Sequence, residues 1–195
     1  MRLASALAAL MLIAPAGCSS GEVSHSGRLD SPEAAISTTS SAPAAPGTFT
    51  VTSPAFAENS PIPAEYSCDG RNVPPPLHWQ NVPPGAESLA LVVDDPDAPA
   101  GLYVHWVVTG IPPATTAIVD GALPDTAVVS LNSAGKAEYL GPCPPVGTGV
   151  HHYRFQLYAL SGPLTLAPTT PVPESTTTIA NLSAAVAGTV GLFGR

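Results

Sequence analysis

Two separated strips of this sequence hold the side chains that could do chemistry. The first is Asp94-Asp95-Pro96-Asp97-Ala98-Pro99, with His105-Trp106 shortly after it. The second is Tyr139-Leu140-Gly141-Pro142-Cys143-Pro144-Pro145, followed by Gly149-Val150-His151-His152-Tyr153. A carboxylate beside an imidazole sets the histidine's tautomer or holds it charged. Imidazole N–H and phenol O–H groups are the donors that an anion requires. Asp95, Asp97, His105, His151 and Tyr153 are therefore the candidate polar groups of one site. Each also has an ordinary structural reading. Asp-Pro-Asp commonly forms a turn through side-chain-to-backbone hydrogen bonds, and a strand histidine is commonly a satisfied core group.

Neither catalysis nor metal binding is the expected use. No G-x-S-x-G elbow supplies a nucleophile, and no H-x-x-x-H or C-x-x-C spacing supplies a metal site. We expect no catalytic residue, no metal and no cofactor. A hydrolase using Asp95, His105 and His151 is the minor alternative.

Both strips must be carried by strands. Leu89-Ala90-Leu91-Val92-Val93 is a short apolar run typical of a buried strand. Tyr103 to Thr109 reads as the next strand. Alternation assigns Tyr103, His105 and Val107 to one face, and Val104, Trp106 and Val108 to the other. In Tyr153 to Leu160, Tyr153, Phe155 and Leu157 alternate with Arg154 and Gln156. His151 and Tyr153 then share a face, while His152 points away with Arg154. Shorter strands are expected at Thr48 to Ser53 and Leu77 to Gln80, punctuated by Pro74-Pro75-Pro76 and Pro83-Pro84-Gly85. Ile179, Leu182, Val186 and Val190 are spaced as one helix face, which predicts a C-terminal helix over Glu174 to Gly191. The fold class is mainly β: an antiparallel sandwich with few short helices.

The 195 residues divide into three parts. Residues 1–17 read as a secretory signal: a short charged start, an apolar run from Leu3 to Pro15, then Ala16-Gly17 before Cys18. Cys18 is the expected lipidation site, with cleavage after Ala16 as the alternative. Residues 18–46 are rich in Ser, Thr, Ala and Pro and read as a flexible tether. A single domain follows over residues 47–195. Export would place it, lipid-anchored, on the outer face of a bacterial cytoplasmic membrane. An oxidising compartment favours a disulfide between the remaining cysteines, Cys68 and Cys143. The net charge is −8 and only six residues are Lys or Arg. That excludes nucleic acid as a partner and leaves no basic patch for anionic lipid surfaces.

The strips resemble the phosphatidylethanolamine-binding protein (PEBP) family, in particular its bacterial, Raf-kinase-inhibitor-like branch. That family carries a D-P-D-A-P strip followed by a strand histidine, then a G-x-x-P-P-x-G loop followed by H-R-Y. Here the matching residues are Asp95-Pro96-Asp97-Ala98-Pro99 with His105, then Gly141, Pro144-Pro145, Gly147, His151 and Tyr153. Tyr66-Ser67-Cys68-Asp69-Gly70 and Pro75-Pro76-Leu77-His78-Trp79 are similar to the bacterial branch as well. The resemblance runs from about Phe49 to Leu160. It implies a pocket walled by Asp95, Tyr103, His105, Gly141, Pro144, His151 and Tyr153. Its implied ligand is a small anion or phospholipid head group, and inhibition or modulation of an envelope protein partner, a protease or kinase, is the alternative function it implies. Gly141 and Cys143 are the expected backbone donors, because the loop prolines have no N–H. The family's arginine is His152 here, so support of the Asp97 turn passes from a fixed charge to a titratable one.

Overall fold

The computed structural model describes residues 47–195. The signal, lipidation and tether assignments fall on residues 1–46 and lie outside the described residues. Among the described residues, nine strands form two sheets. The smaller holds β1 (Thr50–Thr52), β3 (Leu77–Gln80) and β6 (Ala117–Ile118), in the order β1-β3-β6. The larger contains β2 (Ser60–Pro61), β4 (Ser88–Asp95), β5 (Tyr103–Ile111), β7 (Val128–Ser130), β8 (Val150–Leu160) and β9 (Ser183–Gly194). Its order is β2-β9-β8-β4-β5-β7, antiparallel throughout except for the short β2–β9 pair.

Alternation along β4 sets the layers. Leu89, Leu91 and Val93 face the smaller sheet and meet Val51, Leu77 and Trp79 in the main core. Ala90 and Val92 face the other way, into a second cluster closed by Ile179 of α1 (Val172–Leu182). Because β4 is buried on both faces, its sequence is a continuous apolar run and not an alternating one.

The expected C-terminal helix is corrected. It stops at Leu182, and residues 183–194 form β9, paired with the whole length of β8. Gly188, Thr189, Val190 and Gly191 are poor helix formers, and Val and Thr suit a strand. The long ladder with β8 supplies backbone partners that an isolated helix turn there could not improve on. Gly191 is also required by close approach, since a Cβ there would collide with Ile62 and Phe56.

β5 also departs from the simple alternation expected of it. Val93 pairs with Trp106, but Asp94 pairs with Val104, so His105 is an extra residue in a β-bulge. The bulge breaks the simple alternation. Val104 and Val107 lie together on the helix side, while Trp106 and Val108 lie in the main core.

Candidate functional site

The two strips lie against each other at the end of the large sheet where β4 leads into the Pro/Asp loop. Three polar ties join them. Asp95 Oδ2 lies 2.7 Å from His151 Nδ1, with both side chains buried at 4% and 3% exposure. Asp97 Oδ2 accepts the His152 N–H at 2.8 Å and the same residue's ring N–H at 2.7 Å. The His105 ring donates from Nδ1 to the Leu140 carbonyl at 2.8 Å, and the Leu140 N–H donates back to the His105 carbonyl.

The first strip is shaped by its own side chains. Asp95 Oδ1 accepts the Asp97 N–H at 2.8 Å, so the turn closes on the carboxylate that also holds His151. Asp97 is exposed, and hydrogen bonds from His152 hold its carboxyl below the usual carboxylate range. The histidine at 152 thus supports the turn that the family's arginine was expected to support. Its neighbour Asp94 points to the opposite face. There it is buried and gripped by Arg154 Nε and Nη2 at 2.6 and 3.0 Å and by Gln156 Nε2 at 2.9 Å. Adjacent aspartates therefore do different work: Asp94 joins strands, and Asp95 orients an imidazole.

Between the strips is a pocket of about 300 Å³. Asp95, Tyr103, His105, His151 and Tyr153 provide its polar lining, and Ala98, Pro99, Ala100, Leu140, Cys143, Pro144 and Pro145 the rest. The His105 ring sits between two phenols, with centroids 5.0 Å from Tyr103 and 5.2 Å from Tyr153. It is the bulge that aims His105 here. Gly141 is not a wall. Its N–H is taken by Asn72 Oδ1 at 2.7 Å, and its Cβ-less backbone packs against Tyr66 and Ser67 behind the loop. The expected donor at Gly141 is thereby removed.

The hydrogen-bond pattern decides what the pocket can offer. A carbonyl cannot donate, so the bond to Leu140 places a proton on His105 Nδ1. Burial lowers the His105 pKa, which favours the neutral ring. Its Nε2 then presents a lone pair, and it has no hydrogen-bond partner among the described residues. Tyr153 Oη is buried without a well-formed hydrogen bond, and the Cys143 N–H and the Asp95 carboxylate are the polar groups beside it. Burial, followed by the Asp95 charge, pushes its pKa up, so it stays a hydroxyl. Both nitrogens of His151 are engaged, Nδ1 by Asp95 and Nε2 by Thr148 Oγ1 at 3.0 Å.

Thr148 and Asn72 escaped the sequence reading. Thr148 sits three residues before His151, between two glycines, and that local spacing was a usable signal. Asn72 meets Gly141 only through the tertiary fold, and nothing in the local sequence marks it. The disulfide Cys68–Cys143 is present, with Cα atoms 5.4 Å apart, and Cys143 is one of the residues lining the pocket. Among the described residues, no group of three or more His, Cys, Asp or Glu is placed to hold a metal ion.

Fold and site together define a two-sheet β-sandwich binding protein with a small cleft between two proline-stiffened loops. Its sequence matches the model of the family described as phosphatidylethanolamine-binding protein over residues 52–191. It is 49% identical over 158 residues to LppC of Mycobacterium tuberculosis, named a candidate lipoprotein, covering 81% of this chain and 78% of that one. Among solved structures it resembles a phosphatidylethanolamine-binding protein homolog from Chlamydia trachomatis, with a TM-score of 0.70 and 36% identity. That likeness covers 75% of this chain and 97% of the other. Escherichia coli YbcL, titled a member of the mammalian PEBP family, matches with a TM-score of 0.72 and 30% identity, over 75% of this chain and 98% of its own. The chain belongs to the phosphatidylethanolamine-binding protein family.

Proposed function

We propose that this protein is a non-catalytic, lipid-anchored envelope protein whose pocket binds a small phosphate-type acid that still carries a proton. The carrying observation is the pair of unpartnered groups in the pocket, the His105 Nε2 lone pair and the Tyr153 hydroxyl. A ligand P–OH donates to the first, and a P–O⁻ accepts from the second once a small side-chain shift uncovers Oη, which is closed to water in the unliganded pocket. A phosphomonoester monoanion has both atoms. A phosphodiester, the linkage of an intact phospholipid, has no acidic proton at neutral pH. The expectation of a small anion or head group thus narrows to a monoester such as phosphoethanolamine. A volume of about 300 Å³ suits a head group and not a whole lipid.

The pH dependence tests this reading. A monoester loses its second proton with a pKa near 6, so its P–OH fraction falls roughly 50-fold or more between pH 5.5 and pH 8. Calorimetric affinity for phosphoethanolamine is expected to fall by about that factor over the same range. Dimethyl phosphate has no such proton, and its affinity should be weak and flat above neutral pH. There the burial-lowered pKa leaves His105 neutral. Monoester affinity that rises with pH, or a diester that binds as well at pH 8, sinks the proposal.

One observation favours an enzyme. Thr148 Oγ1, His151 and Asp95 form a hydroxyl–imidazole–carboxylate relay. Its hydroxyl also lies 2.8 Å from the Pro145 carbonyl, to which it donates, and Thr148 is absent from the pocket lining. A ligand in the pocket would not face it, so binding is the better account.

The anchor rests on Cys18 and on likeness to LppC. Cells fed an alkyne fatty acid should incorporate it into the wild-type protein and not into Cys18→Ala. Equal labelling of the two would end the assignment.

A further inference from the structure

We propose that the Cys68–Cys143 disulfide is an exchangeable switch on the pocket wall, opened by an external dithiol with Cys143 as the leaving thiolate. The exchange chemistry needs no ligand. Its effect on occupancy rests on the function proposed above.

Three observations carry it. First, the bond holds a segment that has few backbone hydrogen bonds, although Pro144 within it is buried. Backbone hydrogen bonds from the second strip to other elements reach Pro142, whose carbonyl accepts the Cys68 N–H, and resume at Gly147, which donates to the Arg195 carbonyl. Between them, Pro144 and Pro145 have no N–H to offer. Cys143, Pro144 and Pro145 all line the pocket. Second, the bond can be reached from solvent, because Cys143 is exposed and Cys68 is half-buried. Third, its two sulfurs have different nearest charged groups. Arg195 Nη1 is 3.5 Å from Cys143 Sγ, while Asp69 Oδ1 is 3.9 Å from Cys68 Sγ. Arg195 Nε also pairs with Asp69 Oδ1 at 3.1 Å, which fixes the guanidinium in place.

A neighbouring cation lowers a thiol's pKa, and a low-pKa sulfur leaves faster in exchange. A carboxylate acts in the reverse sense on Cys68. The attacking thiolate therefore forms its new bond with Cys68 Sγ, and the Sγ–Sγ bond breaks with its electron pair going to Cys143. The second thiol of the reductant then attacks the mixed disulfide and releases Cys68 as a thiol. Two electrons and two protons pass to the protein, and the dithiol becomes a disulfide. Cys143 to Val146 is then freed to move away from Tyr153 and His105. Linkage is reciprocal, so a bound ligand should in turn make the disulfide harder to reduce.

The test uses the full chain with Cys18→Ala, so that only these two sulfurs report. Dithiothreitol reduction is followed by brief alkylation near pH 6 and peptide mass spectrometry. Cys143 is expected to alkylate before Cys68. Arg195→Gln should slow reduction by about tenfold and erase that preference, and Arg195→Lys should keep both. The reduced protein should retain its sheet circular dichroism while its phosphoethanolamine affinity drops by about tenfold or more. The proposal is overturned if reduction unfolds the sheet, if Arg195→Gln changes neither rate nor preference, or if reduced and oxidised forms bind alike. Should the oxidised protein bind no phosphoethanolamine, the proposed ligand is wrong. The switch is then judged on alkylation order, on the Arg195 variants, and on whether reduction shifts the His105 and His151 ring signals in NMR; unshifted rings overturn it.

Discussion

Asp95→Asn is expected to weaken phosphoethanolamine binding by about 30-fold while leaving the domain folded. The Asp95 side chain is 4% exposed and uses both oxygens, one for the His151 ring and one for the Asp97 N–H. An amide of the same shape supplies one acceptor and one donor. Whichever way it turns, its NH₂ faces a group that already donates. If it faces His151, the ring must change tautomer or rotate, and Nε2 loses its place against Thr148. If it faces the Asp97 N–H, the turn that closes the pocket opens. A hydrogen bond to a charged group contributes roughly 1.5–3 kcal/mol, and about 1.4 kcal/mol is tenfold in affinity. The comparison is Asp97→Asn. That side chain is exposed, and an effect of less than about 1 kcal/mol is expected, as for solvent-screened pairs. Calorimetry on both variants decides. Equal, small losses would mean that the Asp95–His151 pair does not organise the pocket.

Phe155→Ala is expected to have the largest effect on stability, about 3–5 kcal/mol. Phe155 lies at the centre of β8, is 0% exposed, and packs against Phe56 with ring centroids 5.4 Å apart. It ties β8 to the segment that leads into β2, so truncation leaves a cavity that neither sheet can close. For a domain of this size a loss of that order lowers Tm by roughly 10 °C. Urea unfolding with the disulfide intact should show a lower midpoint and an unchanged slope. Phosphoethanolamine affinity of the folded protein should stay within about twofold of wild type, since Phe155 lines no part of the pocket. A midpoint shift below about 1 kcal/mol would show that the inner faces of the sheets are less tightly packed than their geometry indicates.

These two positions mark where a linear reading worked and where it stopped. Phe155 was legible: alternation placed it inward beside Tyr153 and Leu157, and all three are buried. The apolar run at β4 was legible for the same reason, because a strand buried on both faces cannot afford polar side chains. The helix predicted over Glu174 to Gly191 was legible only in its first half. Apolar residues three and four apart satisfied a helical period, yet residues 183–194 found a complete ladder on β8. A pairing partner that distant in the chain leaves no trace in a local window.

The sequence by itself determined the strips, their order, the β-rich class and the two cysteines that could pair. All of these follow from side-chain type and short-range spacing. Tertiary structure decided the rest. An extra residue in β5, visible only against β4, turns His105 toward the pocket and Trp106 into the core. Leu140 and Asn72 spend the N–H groups of His105 and Gly141 before any ligand arrives. Which atom of a polar group remains free depends on partners brought together by folding. That remainder, not the list of residues, sets which ligand the pocket can hold.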